Sequence, residues 1–288
     1  MIHRSTIQLL RIPFSFFLMP VFWFALSLVE HINVLNAVLL FLVIHVLVYP
    51  SSNGYNSYMD RDTTPIGGVE KPLQPTNQLF VFSVIMDVMA VLLCLIISPL
   101  TAACIFIYIM FSRLYSYRRI RLKQYAIIGY LIVILNQGGL IFFTVFNAVN
   151  KDVHNTMPWL GFACATLLIG GFYPITQIYQ HKEDANDNVR TLSMILGKKG
   201  TFAFCALLYA VAFALLFMYY LQTDKLLLFG ILSIFFLPVI VYFTVWFLQV
   251  NRNVASADFK HTMRMNKIAS VCINTAFITV LIINHQLG

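Results

Sequence analysis

Two short polar phrases in an otherwise apolar chain carry the side chains that could do chemistry. Residues 49–60 read YPSSNGYNSYMD and residues 173–184 read YPITQIYQHKED. Tyr49, Pro50, Tyr55 and Asp60 recur as Tyr173, Pro174, Tyr179 and Asp184. Ser52 becomes Thr176, Asn53 becomes Gln177 and Asn56 becomes Gln180, so each exchange keeps a hydroxyl or an amide. On a helix Asn53, Asn56 and Asp60 share one face, because side chains three and four apart are neighbours. Tyr49 and His45 extend that stripe backward, and Gln177, Gln180 and Asp184, with Tyr173 above, repeat it. Carboxylates beside amides are hard oxygen donors, a set that suits magnesium together with an incoming phosphate. A solvated helix end would explain one such phrase. Two matched copies at the ends of apolar segments point to one site built from two halves.

The elements that must position these phrases are membrane helices. With 60% hydrophobic residues, 10% charged residues and a mean hydropathy of +0.81, the chain is not a soluble domain. Apolar runs near twenty residues are long enough to cross about 30 Å of hydrocarbon. Nine are expected, at about 12–30, 34–55, 78–98, 100–116, 125–147, 157–179, 201–221, 226–249 and 267–285. Only Ser98 and Pro99 separate the third from the fourth. Lipid demands helices or a closed barrel, and the runs lack the period-two alternation of a barrel. The fold expected is an all-α bundle of nine spans with a central cavity opening to the cytoplasmic side. Pro50 and Pro174 are expected to interrupt their helices about one turn before the amides.

The first span has Arg4 and Arg11 before its apolar core, but no small-residue cleavage site follows, so it reads as a permanent helix. With nine spans and the N-terminus inside, all but Lys151 and Lys225 of the 19 Lys and Arg residues fall on the inside. That asymmetry sets orientation and accounts for much of the net charge of +8 without nucleic acid. Cys94, Cys104, Cys164, Cys205 and Cys272 all sit within spans without a C-x-x-C and read as small apolar packers. Linkers are short, so residues 1–288 read as a single membrane domain. A multi-pass protein of a prokaryotic inner membrane is the expected setting; oligomeric state is not legible.

Three further polar features stand out. The inside loop 111–123, FSRLYSYRRIRLK, satisfies topology and could also clamp an anion against the acidic phrases. Asp87 falls near the middle of the third span, where a charge costs a few kcal/mol at least (~3 or more). Pairing with Asn136 or Gln137 is favoured over a role in binding or deprotonating an acceptor. His45 reads as a core histidine in preference to a general base.

Together these residues resemble the UbiA superfamily of intramembrane prenyltransferases. Its first motif, N-x-x-x-D-x-x-x-D followed by an R-P-L-P-like turn, is matched by Asn56, Asp60 and Thr64, then Lys71-Pro72-Leu73-Gln74-Pro75. Its second, D-x-x-x-D-x-x-x-G-x-x-T-L ending in L-G, is matched by Gln180, Asp184, Asn188, Thr191-Leu192 and Leu196-Gly197. Tyr115-Ser116 and Arg121-Leu122-Lys123 resemble the stretch between them. The resemblance covers nearly the whole chain. Thr64, Gln180 and Asn188 depart from the pattern, leaving Asp60 and Asp184 as the carboxylates in register, with Asp62, Glu183 and Asp187 nearby.

The resemblance implies transfer of an isoprenoid from an allylic prenyl diphosphate to a hydrophobic or aromatic acceptor, as in quinone biosynthesis. It implies magnesium held by Asn56, Asp60, Asp62, Gln180 and Asp184, acting as a Lewis acid on the leaving group. Lys71, Lys123, Arg61 and Arg113 are the candidates for phosphate contact, with Asn53, Gln177 and Tyr115 beside them. Tyr49, Tyr55, Tyr173 and Tyr179 would offer ring faces to an allylic cation. A terpene cyclase of the same superfamily is the nearest alternative. A degenerate lipid-phosphate binder and a secondary transporter with two half-sites are the others. Asp60→Ala and Asp184→Ala are each expected to abolish magnesium-dependent turnover while leaving the fold intact, measured as pyrophosphate release beside a thermal unfolding curve. Full activity in either variant would place the motif wrongly there.

Overall fold

Every run predicted to cross the membrane is helical, because a helix satisfies its backbone groups within the segment. The computed structural model describes residues 2–152 and 156–287. Among them nine segments are long and apolar enough to span: Arg4–Ser27, Val34–Asp60, Asn77–Ile97, Pro99–Ser116, Ala126–Val149, Trp159–Gln177, Leu192–Gln222, Leu226–Arg252 and Phe259–Gln286. Each span packs on the next in sequence, and the ninth closes onto the first. The first also crosses to the fifth, so the ring has a filled centre. There Phe24 stacks on Phe277 at 4.5 Å and packs on Phe142 at 5.2 Å. The third span is the most lipid-facing, with Ile85, Val88, Leu92, Leu95 and Ile96 exposed.

The first span is the least regular. Its helix breaks at Arg11, which adopts a left-handed conformation (φ 48°), and a 3-10 segment, Ile12–Phe17, follows. The third and fourth spans are separate helices as expected. Ser98 ends one and caps the other, its hydroxyl accepting from the Thr101 amide at 3.0 Å.

The two proline phrases do not behave as expected. Val43–Val48 is a π-helical turn, and the helix then runs unbroken through Pro50 to Asp60, where Arg61 ends it in a left-handed conformation (φ 55°). Pro50 sits in the first turn of the α-helical part, where its missing N–H is least costly. In the second copy Pro174 lies inside the helix and the break comes after Gln177. A new short helix, His181–Asn186, then carries Asp184. The interruption thus falls before Pro50 in one copy and after Pro174 in the other.

Two glycines set the helix spacing around these segments. A Cβ on Gly138 would stand 2.7 Å from the Thr166 Cα, so the fifth span lies directly against the sixth. A second π-helical turn, Ile134–Leu140, spans this contact and carries Asn136 and Gln137. A Cβ on Gly54 would meet Ser83 Oγ at 2.9 Å, so the second span is pressed against the third in the same way.

Asp87 is not paired with Asn136 or Gln137. Arg113 of the fourth span takes it, with Nε at 2.8 Å and Nη2 also bonded, and Ser51 donates to the other carboxylate oxygen. The pair is mostly buried, with side-chain exposures of 17% for Arg113 and 13% for Asp87. Arg113 also donates to the Ser51 carbonyl at 3.4 Å and lies 4.1 Å over the Tyr55 ring. An opposite charge on the neighbouring span wins over a neutral amide because it cancels most of the cost of burying a carboxylate. The knot joins the second, third and fourth spans at the first polar phrase itself, through Ser51 and Tyr55. Arg113→Leu should cost about 3–5 kcal/mol by leaving Asp87 buried and unpaired. A second change, Asp87→Leu, should recover most of that in the double variant. Denaturant unfolding in detergent checks both.

Candidate functional site

The four matched pairs of polar residues converge on one cavity. Ser52 and Thr176, Asn53 and Gln177, Asn56 and Gln180, and Asp60 and Asp184 all line a space of about 230 Å³. The second span delivers the first set from a continuous helix; the end of the sixth span delivers Thr176 and Gln177, the turn after it Gln180, and the short helix His181–Asn186 Asp184. Asp62, Tyr115, Lys123, Tyr173 and Tyr179 line the same space.

The basic loop between the fourth and fifth spans stitches the halves together. Lys123 donates to Asp60, and Arg121 lies 3.4 Å from the same carboxylate. Arg121 also pairs with Asp187 and donates to its carbonyl at 2.9 Å. Arg118 caps the end of the second span, donating to the Met59 carbonyl at 2.7 Å and the Asp60 carbonyl at 3.1 Å, and reaches Asp187 at 3.1 Å. Cations at a helix C-terminus are favoured by its free carbonyls. Two departures from the motif have visible consequences. Gln180 donates to the Pro65 carbonyl at 3.4 Å, a bond an ionised aspartate could not make. Thr64 stays out of the cavity and Asp62 enters it instead.

The remaining sequence-predicted residues separate by position. Arg61 and Lys71 are exposed and do not line the cavity; Arg61 lies 5.9 Å over Tyr58. Arg113 is committed to Asp87 and is also absent from the lining. Of the four candidates for phosphate contact, only Lys123 lines the cavity. Tyr49 is buried behind the wall with an unpartnered hydroxyl, and Tyr55 lies under Arg113. Tyr173 faces the cavity, its hydroxyl bonded to that of Tyr115, and Tyr179 packs on Phe259 at 5.2 Å. His45 is buried against Phe22, Phe41 and Tyr49, away from the cavity, with neither ring nitrogen bonded.

Arg11 and Asn266 are among the lining residues that escaped the sequence. Arg11 read only as topological charge. Its left-handed backbone turns the guanidinium inward, where it donates to the Asn53 carbonyl at 3.3 Å and the Gly67 carbonyl at 3.4 Å. Asn266 of the ninth span is fully buried, and neither amide atom has a partner. Asn53 Nδ2 and Gln177 Oε1 are likewise buried and unpartnered. Buried amides without partners are costly, so a wall with three of them is prepared for a polar ligand. Asn266 lies between Arg264 and Lys267, just before the ninth apolar run, so nothing local set it apart.

Charge repulsion and burial set the acids apart. Burial pushes Asp184 up to about 7, Asp60 and Asp62 add to the rise, and Lys123 opposes it. Burial, and then Asp60, push Asp62 up to about 6 against Lys123 and Arg11. On Asp187 burial acts upward, but Arg121 and Arg118 outweigh it and hold that carboxyl below its ordinary value. Among the described residues no three His, Cys, Asp or Glu side chains stand close enough to hold a metal by themselves. The donors fit a magnesium ion that takes one or two carboxylates and completes its shell with phosphate oxygens and water.

A second cavity of about 420 Å³ adjoins the first, with Phe172 in both walls. It is almost wholly apolar, lined by residues such as Phe17, Phe24, Tyr209, Phe213, Phe243 and Phe277.

The model of the UbiA prenyltransferase family matches residues 17–268. No curated protein matches the chain by sequence. A UbiA homologue from Archaeoglobus fulgidus, solved with GPP and Mg2+, superposes with a TM-score of 0.70 at 15% identity, covering 96% of this chain and 99% of that one. The apo structure of a UbiA homologue from Aeropyrum pernix K1 gives 0.66 at 18% identity, over 93% and 98%. A structure described for digeranylgeranylglyceryl phosphate synthase gives 0.63 at 20% identity, over 98% of both chains. These likenesses establish a shared fold.

Asp62 and Asp184 keep their protons well above the ordinary carboxylate range of about 4. Their contribution to stability is therefore fully present below about pH 4 and is lost as pH rises through about 6 and 7. A divalent ion competes with those same protons. Magnesium affinity should climb between about pH 5.5 and 7.5, by up to about tenfold per pH unit for each proton displaced. Calorimetric titration at several pH values checks this; a flat profile would remove both acids from the metal site.

Proposed function

Because this chain belongs to the UbiA prenyltransferase family, we propose that it transfers an isoprenoid from an allylic prenyl diphosphate to an acceptor inside the membrane. The observation that carries the reading is the convergence of all four matched polar pairs on one cavity that meets an apolar one at Phe172. A diphosphate belongs at the charged rim and an isoprenoid tail in the aromatic cavity. The fold is shared with UbiA homologues solved with GPP and with DMAPP, each with Mg2+, which supports the substrate class. The basic loops lie at the same end as the cavity's acids, which supports an opening toward the cytoplasm and an N-terminus inside. Residues 1–288 act in this reading as one domain.

Asp60 and Asp184 would hold magnesium, with Asp62, Asn56 and Gln180 alongside, and the ion would supply Lewis acidity to the leaving group. Lys123 and Arg11 face the diphosphate and neutralise charge as it develops on departure. The allylic C1–O bond breaks, and its electron pair leaves on the diphosphate. The carbocation then meets the ring faces of Tyr115, Tyr173 and Phe172, each worth about 0.5–2 kcal/mol in a dry site. The apolar walls keep water from capturing it.

The test is incubation of the purified protein in nanodiscs with geranyl, farnesyl or geranylgeranyl diphosphate, with and without acceptors. Magnesium-dependent pyrophosphate release with a prenylated product is expected. Cyclic hydrocarbons formed without acceptor would identify a cyclase, and substrate counterflow without turnover a carrier. Lys123→Ala should lower kcat by about 100-fold or more, the scale for loss of one charge-stabilising group.

A further inference from the structure

The polar cavity has two chemically different ends. Its charged lining residues are Arg11, Asp60, Asp62, Lys123 and Asp184, and they form one interacting cluster. Away from them Ser52, Tyr108, Ser112, Asn136 and Gln137 line a neutral wall. The Tyr108 side chain lies against Ser52 and Gln137, and Asn136 Nδ2 donates to the Tyr108 carbonyl at 3.5 Å. Asn136 and Gln137 both come from the π-helical turn of the fifth span, a departure from regular helix that often marks a working site. Behind this wall Arg113 acts on Tyr108, but it is outside the lining and already neutralised by Asp87.

We propose that this neutral end is the acceptor subsite and that it takes an uncharged molecule bearing hydroxyl or carbonyl groups, excluding acceptors that carry a carboxylate or phosphate. The inference rests on the prenyl-transfer reading above. A hydroxyl can both donate to and accept from serine, tyrosine and amide side chains, so a neutral acceptor finds every bond it needs. An anionic group there finds no cation among the residues of that wall. Burying an unpaired charge is far more costly than burying a bonded hydroxyl. In the step itself the acceptor's ring carbon or hydroxyl oxygen bonds to the allylic C1. The C1–O bond to the diphosphate breaks with its electron pair, and the departing diphosphate takes the acceptor's proton.

The experiment compares matched acceptors with geranylgeranyl diphosphate and magnesium. The pairs are naphthalene-1,4-diol against 1,4-dihydroxy-2-naphthoate, methyl 4-hydroxybenzoate against 4-hydroxybenzoate, and a geranylgeranylglyceryl ether against its phosphate. At least a tenfold higher kcat/KM for the neutral member of a pair is expected wherever product forms. Gln137→Arg should shift that ratio toward the anionic member by tenfold or more. Ser112→Ala, which barely alters volume, should raise the neutral acceptor's KM threefold to tenfold and serves if the arginine variant does not fold. Preference for the anionic member in the native protein overturns the inference. So does pyrophosphate release with no product from any neutral acceptor. Absence of pyrophosphate release under every condition instead defeats the prenyl-transfer reading and the inference with it.

Discussion

Asp60 cannot stand alone where it sits. Its side chain is 4% exposed at the end of a membrane helix, and an unpaired carboxylate there would cost several kcal/mol (~3 or more). Lys123 and Arg121 compensate it, and Arg121 in turn holds Asp187 beside the second polar phrase. That chain of opposite charges forces the two halves of the repeat to one place. Asp62 and Asp184 are left outside those pairs, and burial first, then the neighbouring Asp60, makes them hold their protons tightly. A rim short of positive charge at its centre is what a divalent ion can complete.

The repeat preserves side chains and not backbone. The first copy is a helix that reaches Asp60 before it ends; the second breaks after Gln177 and restarts at His181. Yet Ser52, Asn53, Asn56 and Asp60 meet Thr176, Gln177, Gln180 and Asp184 around one space. Different backbone routes to the same lining mean that the side chains are the shared design. Gln180 shows the cost of substitution in the motif: one fewer acid, but a tie from the second half to the loop after the first.

What could be read from the sequence was whatever depends on local pattern. Nine spans follow from run length; the cap that Ser98 forms between the third and fourth appears only in the structure. The repeated polar residues line one cavity, but the helical stripe their spacing suggests forms only in the first copy. What could not be read depends on which way a long side chain turns or which distant residue it meets. Arg11, Arg61 and Lys71 are alike as sequence, but only Arg11 points inward, through a break in its helix. Arg113 and Asp87 belong to different spans, and nothing local pairs them. The shift of the helix interruptions away from Pro50 and Pro174 reflects packing, with π-helical turns taking up the extra residue where neighbouring spans press close.

The central claim is that one divalent ion is shared by the two halves of the repeat through Asp60 and Asp184. The most direct measurement is a Mn2+ titration followed by electron paramagnetic resonance. It would use the native protein, Asp60→Asn and Asp184→Asn, each saturated with a non-ionisable prenyl thiodiphosphate. A shared ion predicts that each single substitution weakens binding by about tenfold or more, roughly the loss of one charge-assisted ligand. Native-strength binding by either variant would show that the ion is held by one half alone, and would contradict the claim.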